Sequence, residues 1–353
     1  MNVDQKDESC YILELESSFD GSLIAASLSS MSISINDTFL KPICKLECIH
    51  SDRINGIKFF QHHPQILVST SDDLSIRLWD LRQNFGGPVQ DIRAGEAVMD
   101  VAVGHDDALL ACAVGTRVVF YDIRSSGMTS WATAAVQLGE YADVHNDTIN
   151  QVRFHPLRKT ELTTSSEDGL ICTFNTAVCE GEEAVVSIMN TECPVRRFGF
   201  FGETSEGLYC LSTVETASFW HPLSAQRIGL FPNIREDFGL DYLVDCFYSG
   251  GNLHLLGGNH NGDGQLFSIT PTDSTPVAKI KGGHSSTIRS CTQTTGNSPI
   301  FITGGEDAKL CAWESSMTPA RAPNSSKAQK SHHMQSKQVE KVKERKGYHH
   351  SPY

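Results

Sequence analysis

The chain has 353 residues, a length that suits two average domains or one large repeat architecture. Its hydrophobic content of 39% is ordinary for a protein with a packed core. Its net charge of −13 is unevenly distributed, because residues 321–353 carry a net +6 and the remainder a net −19. An acidic body repels nucleic-acid phosphates, so only the basic end is suited to contact them. No apolar run is long enough to cross a bilayer, and the polar start MNVDQKDESC argues against a secretory signal.

Short β-strands are predicted after a disordered N-terminal segment at residues 1–9. The pattern is clearest in the second unit, where a strand of alternating polarity is followed by a small apolar strand and then by a strand that ends in an aromatic residue. These strands span residues 54–60, 66–70 and 75–79. Turn signals recur about every 8–12 residues, which is typical of an all-β protein.

Three segments of the chain share one residue pattern. Each starts at a histidine, followed by a hydroxyl residue 19 positions later, an aspartate 23 positions later and an aromatic residue 29 positions later. Agreement at four positions in three segments indicates an internal repeat. The residues are His50, Ser69, Asp73 and Trp79; His145, Thr164, Asp168 and Phe174; and His284, Thr303, Asp307 and Trp313.

The closing aromatic residue extends the repeat to further units. Tyr121, Trp220 and Phe267 hold this place in units three, five and six, and Asn36 marks a less regular first unit. Successive markers are 42 to 53 residues apart, so seven units fill residues 10–316. Units three, five and six are degenerate because they lack one or more of the recurring polar residues.

The repeat resembles that of the WD-repeat family, through the histidine near the start of a unit and the closing Trp79–Asp80 pair. The resemblance implies an all-β, seven-bladed WD-repeat β-propeller at residues 10–316, with a disordered basic C-terminal tail at 317–353. A propeller usually seals its ring with a strand from the far terminus. One terminus must therefore supply the last strand of the seventh blade, or that blade stays short.

The recurring polar residues can be interpreted as a catalytic triad or as part of the fold. Three active sites in one ring are implausible, so we predict a structural network in which the aspartate accepts from the histidine, the histidine bonds the hydroxyl, and the hydroxyl accepts from the indole N–H. Phe174 has no N–H, so the network of unit four is one link shorter. We predict no catalytic residue, no metal site and no cofactor.

Two surface arginines occupy matching places at the ends of neighbouring units. Unit two ends in WDLR, with Asp80 and Arg82, and unit three ends in YDIR, with Asp122 and Arg124. Paired boxes of this kind resemble those of WD-repeat substrate receptors of cullin-4 ubiquitin ligases, which implies docking to the ligase adaptor. A solvated or locally paired arginine is the alternative.

The longer stretches 141–156, 234–248 and 282–313 narrow the resemblance to one branch of the family, whose members also end in a basic tail. We expect a non-enzymatic scaffold that binds protein partners, as one chain within a complex and without membrane contact, in the nucleus or the cytoplasm. Two alternatives stay open: a receptor of a cullin-4 ligase, and a ribosome-assembly factor. The basic stretch 327–346 is interpreted either as a solvated tail with no specific role or as a nuclear import signal with a weak RNA contact.

The eleven cysteines are dispersed and include no CxxC pair, so reduced thiols are expected, with a zinc site as the minor alternative.

Overall fold

The computed structural model describes residues 2–4, 10–83, 87–124, 135–295 and 299–313. These residues form seven four-stranded antiparallel sheets, arranged as the blades of a propeller. The predicted fold class is therefore confirmed. The tail at 317–353 and its basic stretch 327–346 lie outside the described residues, so the predictions made for them stay predictions.

Strands run from the inner to the outer edge of each blade in chain order, and only the seventh blade combines strands from both termini. β1 is Asn2–Asp4. Blade 1 is β2 (Ile12–Ser17), β3 (Leu23–Leu28), β4 (Ser32–Asp37) and β5 (Pro42–Leu46). Blade 2 is β6 (Ile54–Phe59), β7 (Ile66–Ser71), β8 (Ser75–Asp80) and β9 (Gln90–Arg93). Blade 3 is β10 (Val98–Val103), β11 (Leu109–Val114), β12 (Arg117–Asp122) and β13 (Val136–Tyr141).

Blade 4 is β14 (Ile149–Phe154), β15 (Glu161–Ser166), β16 (Leu170–Asn175) and β17 (Val185–Asn190), with helix α1 (Gly181–Ala184) before its last strand. Blade 5 is β18 (Val195–Phe201), β19 (Gly207–Ser212), β20 (Ala217–His221) and β21 (Gln226–Phe231), followed by helix α2 (Ile234–Phe238). Blade 6 is β22 (Tyr242–Ser249), β23 (Asn252–Gly258), β24 (Gly264–Ile269) and β25 (Ser274–Ile280). Blade 7 is β26 (Ile288–Gln293), β27 (Phe301–Gly305), β28 (Lys309–Trp313) and β1.

The N-terminus supplies the outer strand of the seventh blade. Asn2, Val3 and Asp4 pair antiparallel with Cys311, Leu310 and Lys309 of β28. The structure differs here from the prediction of a disordered segment at 1–9, because three of those residues complete the hydrogen bonding of β28. Blade 1 then lies against blade 7, where the Ser17 hydroxyl donates to the Gln293 carbonyl at 3.0 Å.

The hydrophobic core lies between neighbouring blades. One cluster joins β7 and β8 of blade 2 to β10, β11 and β12 of blade 3, and similar clusters follow around the ring. Five of the seven second strands are buried along their whole length, and β11 and β23 are buried at all but their first residue. Many of their residues are small or β-branched, as in LIAASL of β3 and ELTTSS of β15. Such residues suit strands that are covered on both faces. In the parts of the chain that the structure describes, no helix has the length and apolar character needed to cross a membrane.

Every inner strand has a register shift near its start, after the first paired residue in six blades and after the second in blade 6. A β-bulge of this kind adds one residue to the strand and re-aims the side chains that follow it. We call the next paired residue the post-bulge position. Around the ring it is held by Glu14, Gly56, Asp100, Gln151, Arg197, Asp245 and Ser290.

Candidate functional site

The polar network of blade 2 links the loop before β6, the strand β7 and the turn between β7 and β8. His50 Nδ1 lies 3.0 Å from Asp73 Oδ2, and His50 Nε2 lies 2.8 Å from Ser69 Oγ. The indole N–H of Trp79 donates to the same Ser69 oxygen at 3.0 Å. The four residues therefore form one chain of hydrogen bonds.

Blades 4 and 7 contain the same arrangement. In each blade the first histidine nitrogen lies 3.0 Å from the aspartate and the second lies 2.7 or 2.8 Å from a threonine. Trp313 donates to Thr303 at 2.8 Å, whereas Phe174 has no N–H to offer. The sets are His145, Thr164 and Asp168 in blade 4, and His284, Thr303, Asp307 and Trp313 in blade 7.

Burial favours the neutral form of two of these histidines, His50 and His145. The side chains of His50 and His145 are 0% exposed, and this burial lowers the pKa of both rings. Burial alone would raise the pKa of Asp73, but hydrogen bonds from Ser75 and from the Ser51 N–H hold it well below its usual value. A neutral ring then donates from Nδ1 and accepts at Nε2. Both nitrogens are engaged and hidden from solvent, so the chemistry available to the network is structural support.

The turn after each aspartate adopts an unusual backbone. The next residue has positive φ in all three blades: 66° at Leu74, 79° at Gly169 and 59° at Ala308. Leucine and alanine rarely adopt this conformation, so the sequence gives little warning of it at Leu74 and Ala308. The turn places the aspartate so that it caps the loop N–H of Ser51 as well as the histidine.

Replacing Asp73 with alanine should lower the free energy of unfolding by about 2 kcal/mol, because a buried imidazole N–H and the Ser51 N–H both lose their acceptor. Chemical denaturation of the two proteins measures this difference. Asp91→Ala is the matched control: Asp91 pairs with Arg77 and Arg93 at the surface, and its loss should change stability by no more than about 0.5 kcal/mol. Equal midpoints for Asp73→Ala and the wild type would contradict the structural role.

When the pH is lowered from about 7.5 to about 5.5, stability should fall, and most of the loss should occur below the ordinary histidine pKa of about 6.5. Burial lowers the pKa of His50, His145, His155 and His254, so below that pH the unfolded chain binds more protons than the folded one. Thermal melts across this range check the result. A His50→Asn, His145→Asn variant should be less stable at the upper pH but show a shallower dependence; an unchanged slope would contradict burial as the cause.

The two surface boxes adopt the same local geometry. Arg82 folds back on Asp80, with Nε donating to Oδ1 at 2.8 Å and Nη2 donating to Oδ2 at 2.7 Å. Arg124 makes the matching fork on Asp122, where Nε donates to Oδ1 at 3.0 Å. In both boxes the arginine backbone N–H also donates to the aspartate, at 3.0 and 2.9 Å.

Exposure differs strongly within each box. The Arg82 and Arg124 side chains are 63% and 71% exposed, whereas those of Asp80 and Asp122 are 4% and 20% exposed. Hydrogen bonds from the arginines lower the pKa of both aspartates, so each box stays a charged pair. The aspartate holds the guanidinium in one orientation at the end of its strand, while most of the arginine side chain stays exposed.

Comparison with known proteins fits this architecture. The family "WD domain, G-beta repeat" matches residues 41–80 and 274–314, which contain most of blade 2 and of blade 7. The WD repeat-containing protein GTS1 of Arabidopsis thaliana is 30% identical over 86% of this chain and 81% of its own length. The chain belongs to the WD-repeat family. A WD repeat-containing protein 89 homolog of Dictyostelium discoideum is 29% identical over 87% of this chain and 83% of its own length.

The similarity extends to an uncharacterised WD repeat-containing protein of Saccharomyces cerevisiae, which is 24% identical over 78% of this chain and 70% of that protein. The resemblance of stretches 141–156, 234–248 and 282–313 to one branch of the family, that of WD repeat-containing protein 89, is thus supported over most of the chain. WD-repeat proteins act in general as scaffolds for protein interactions.

The WD-repeat ring encloses a polar channel of about 1300 Å³, lined by residues of all seven inner strands. Post-bulge side chains tie neighbouring blades together here. Asp100 of blade 3 accepts the N–H of Val152 in blade 4 at 3.0 Å, and Gln151 of blade 4 accepts the N–H of Phe198 in blade 5 at 2.8 Å. Polar side chains of the inner strands thus link neighbouring blades.

One ion-pair cluster crosses the channel. Arg197 of blade 5 binds the carboxylate of Glu14 in blade 1, which is not its neighbour in the ring, and lies 3.7 Å from Asp245 of blade 6. The Tyr209 hydroxyl donates to Asp245 at 3.1 Å. Sequence reasoning missed this cluster because 183 positions separate Glu14 from Arg197. The available signal was a charged residue at the post-bulge position of a predicted inner strand.

The cysteines show no disulfide, and six of the eleven are buried. Burial raises the pKa of Cys172 and Cys210 to about 12, so these thiols are protonated at neutral pH. Within the described ranges, no three His, Cys, Asp or Glu side chains are grouped so that they could hold a metal ion.

Proposed function

We propose that this WD-repeat protein is a non-enzymatic scaffold that binds a protein partner at the end of the ring where β8 and β12 end. The observation that supports this most is the pair of matching Asp–Arg boxes on neighbouring blades. Each presents an exposed guanidinium that is held in place by a largely buried carboxylate. A fixed guanidinium loses little freedom on binding, and its planar fork suits carboxylate or backbone carbonyl groups.

A second candidate function is a more specific form of the first. Paired boxes of this kind resemble those with which cullin-4 substrate receptors dock to their ligase adaptor. Arg82 and Arg124, with Asp80 and Asp122, would then serve as the docking residues. The shared geometry of the two boxes favours this candidate over a ribosome-assembly role, for which the described residues offer no matching feature.

An Arg82→Ala, Arg124→Ala double variant should lose its main protein partner while its melting temperature stays within a few degrees of the wild type. Neither guanidinium supports the core, and ion pairs between exposed groups contribute little to stability. Affinity purification from cells, followed by quantitative mass spectrometry of the captured proteins, compares the wild type with the variant. Loss of the cullin-4 adaptor from the variant would support the second candidate function. Loss of a different partner would support only the first.

Arg93→Ala with Arg289→Ala is the matched control for this experiment. Both arginines are well exposed and paired with an acidic residue, but neither lies at the end of β8 or β12. This control should keep every partner. Identical partner sets for the wild type and the Arg82/Arg124 variant would refute the proposed surface.

A further inference from the structure

The cations that line the channel are almost all paired. The Lys58 ammonium lies 2.7 Å from Glu16, Arg196 lies 3.6 Å from Glu215, and Arg197 binds Glu14. These pairs neutralise the three positive charges. They also mark which donors are already used and which remain available to a ligand.

Among the cations of the inner strands, Arg153 of β14 is the exception. Arg53 also lines the channel without an ion pair to a described residue, but it lies before β6 and is exposed. Arg153 lines the channel, and no described residue accepts a hydrogen bond from it or forms an ion pair with it. Its guanidinium carbon lies 5.9 Å from the centre of the buried Phe198 ring, and its Nε is buried without an acceptor. A guanidinium held against an aromatic face keeps its outer N–H fork free to bind a planar acceptor.

The registers of the inner strands show which residues of other blades are equivalent to Arg153. Arg153 stands two residues beyond the post-bulge position of blade 4, and Lys58 holds the same place in blade 2. Glu16 of blade 1 holds it too, and it pairs with Lys58. The ring thus provides a carboxylate for Lys58 and none for Arg153.

The two carboxylates that interact electrostatically with Arg153 accept hydrogen bonds from other residues. Asp100 and Asp245 attract Arg153 electrostatically. However, Asp100 accepts the Val152 N–H, and Asp245 accepts from Tyr209. Asp100 and Asp245 therefore stabilise the positive charge of Arg153 but accept no hydrogen bond from it. A buried donor without an acceptor is unfavourable. An external acceptor would remove that penalty.

We propose that the channel is a binding site for a carboxylate, with Arg153 as the residue that binds it through both terminal nitrogens. Two parallel N–H groups match the two oxygens of a carboxylate. The acidic groups Asp100 and Asp245, which act electrostatically on Arg153, disfavour a multiply charged phosphate and admit a singly charged anion. The carboxylate belongs to a small acid or to an acidic side chain of a partner segment inserted into the channel.

Fluorine NMR of the full chain with a set of fluorinated carboxylic acids, each matched by its primary amide, tests the small-acid source. Titration with short capped peptides that contain one glutamate, or glutamine in its place, tests the peptide source. The wild type should bind at least one acid-containing probe saturably and its amide counterpart far more weakly. Arg153→Gln should bind that probe about tenfold or more weakly, since a charge-assisted hydrogen bond is lost.

Lys58→Gln is the matched control, because it removes a cation at the same register that already has a partner. It should bind the probe as the wild type does. Arg153→Lys keeps the charge but loses the fork, should bind with intermediate affinity, and keeps the test valid if Arg153→Gln does not fold. Tighter binding of inorganic phosphate, equal binding by Arg153→Gln and wild type, or no saturable acid binding would overturn the proposal.

This site is separate from the proposed surface at Arg82 and Arg124. The Arg82→Ala, Arg124→Ala variant should therefore bind the acid probe normally. Failure of one proposal leaves the other in place, and the two sets of variants distinguish them.

Discussion

A chain that lacks residues 1–9 should unfold at a temperature lower by about 6 °C or more. Residues Asn2–Asp4 form the outer strand of blade 7, and their removal leaves the β28 edge without its ladder partner. About three hydrogen bonds at about 1 kcal/mol each are lost, which corresponds to about 3 kcal/mol and a shift of several degrees for a domain of this size. An unpaired edge strand also promotes aggregation.

Hydrogen exchange locates this effect. The amides of β28 (Lys309–Trp313) should lose protection in the truncated chain, while those of β8, the matching strand of blade 2, should keep theirs. Val3→Pro in the full chain removes one backbone donor without changing the length, and it should have a smaller effect of the same kind. Unchanged protection of β28 in the truncated chain would show that the N-terminal strand does not close the ring.

Arg197→Ala should lower the free energy of unfolding by about 3 kcal/mol. The substitution removes the cation that Glu14 and Asp245 share, so two negative charges in the channel lose their counter-ion. When one partner of an ion pair shielded from solvent is removed, the free energy of unfolding falls by far more than the intact pair contributes to it. Denaturant unfolding monitored by tryptophan fluorescence measures the change.

Arg117→Ala is the control for Arg197→Ala. Arg117 also pairs with two carboxylates, Glu96 at 2.7 Å and Glu140 at 2.9 Å, but at the surface of blade 3. Its loss should change stability by less than about 1 kcal/mol. Arg197→Lys keeps the charge and should recover part of the stability. Similar losses for Arg117→Ala and Arg197→Ala would mean that the position in the channel does not matter.

Sequence spacing predicted the fold because the WD pattern is local. The offset of 23 residues between His50 and Asp73 spans two short strands and one turn, so each unit contains the information for its own sheet. The same reasoning placed Ser69 and Trp79 in one network, and the structure brings them within 3.0 Å of each other. Degenerate units could still be counted, because a closing aromatic residue remained.

Features that depend on the closed ring were not predictable in this way. The strand at Asn2–Asp4 has little β-propensity of its own, and only the vacant edge of β28 gives it an ordered partner. The bond from Arg197 to Glu14 joins blades that are distant in the chain, so neither unit alone indicates it. Arg153 stands out only when the partners of the other inner-strand cations are known.

The proposed docking surface at the ends of β8 and β12 is tested most directly by site-specific photo-crosslinking in cells. A benzoylphenylalanine at position 83, next to Arg82, or at position 74, at the opposite end of β8, probes the two ends of one strand on exposed residues. We predict discrete crosslinked partners from position 83, lost in the Arg82→Ala, Arg124→Ala background, and none from position 74. Partners captured from position 74 and not from position 83 would contradict the proposed surface.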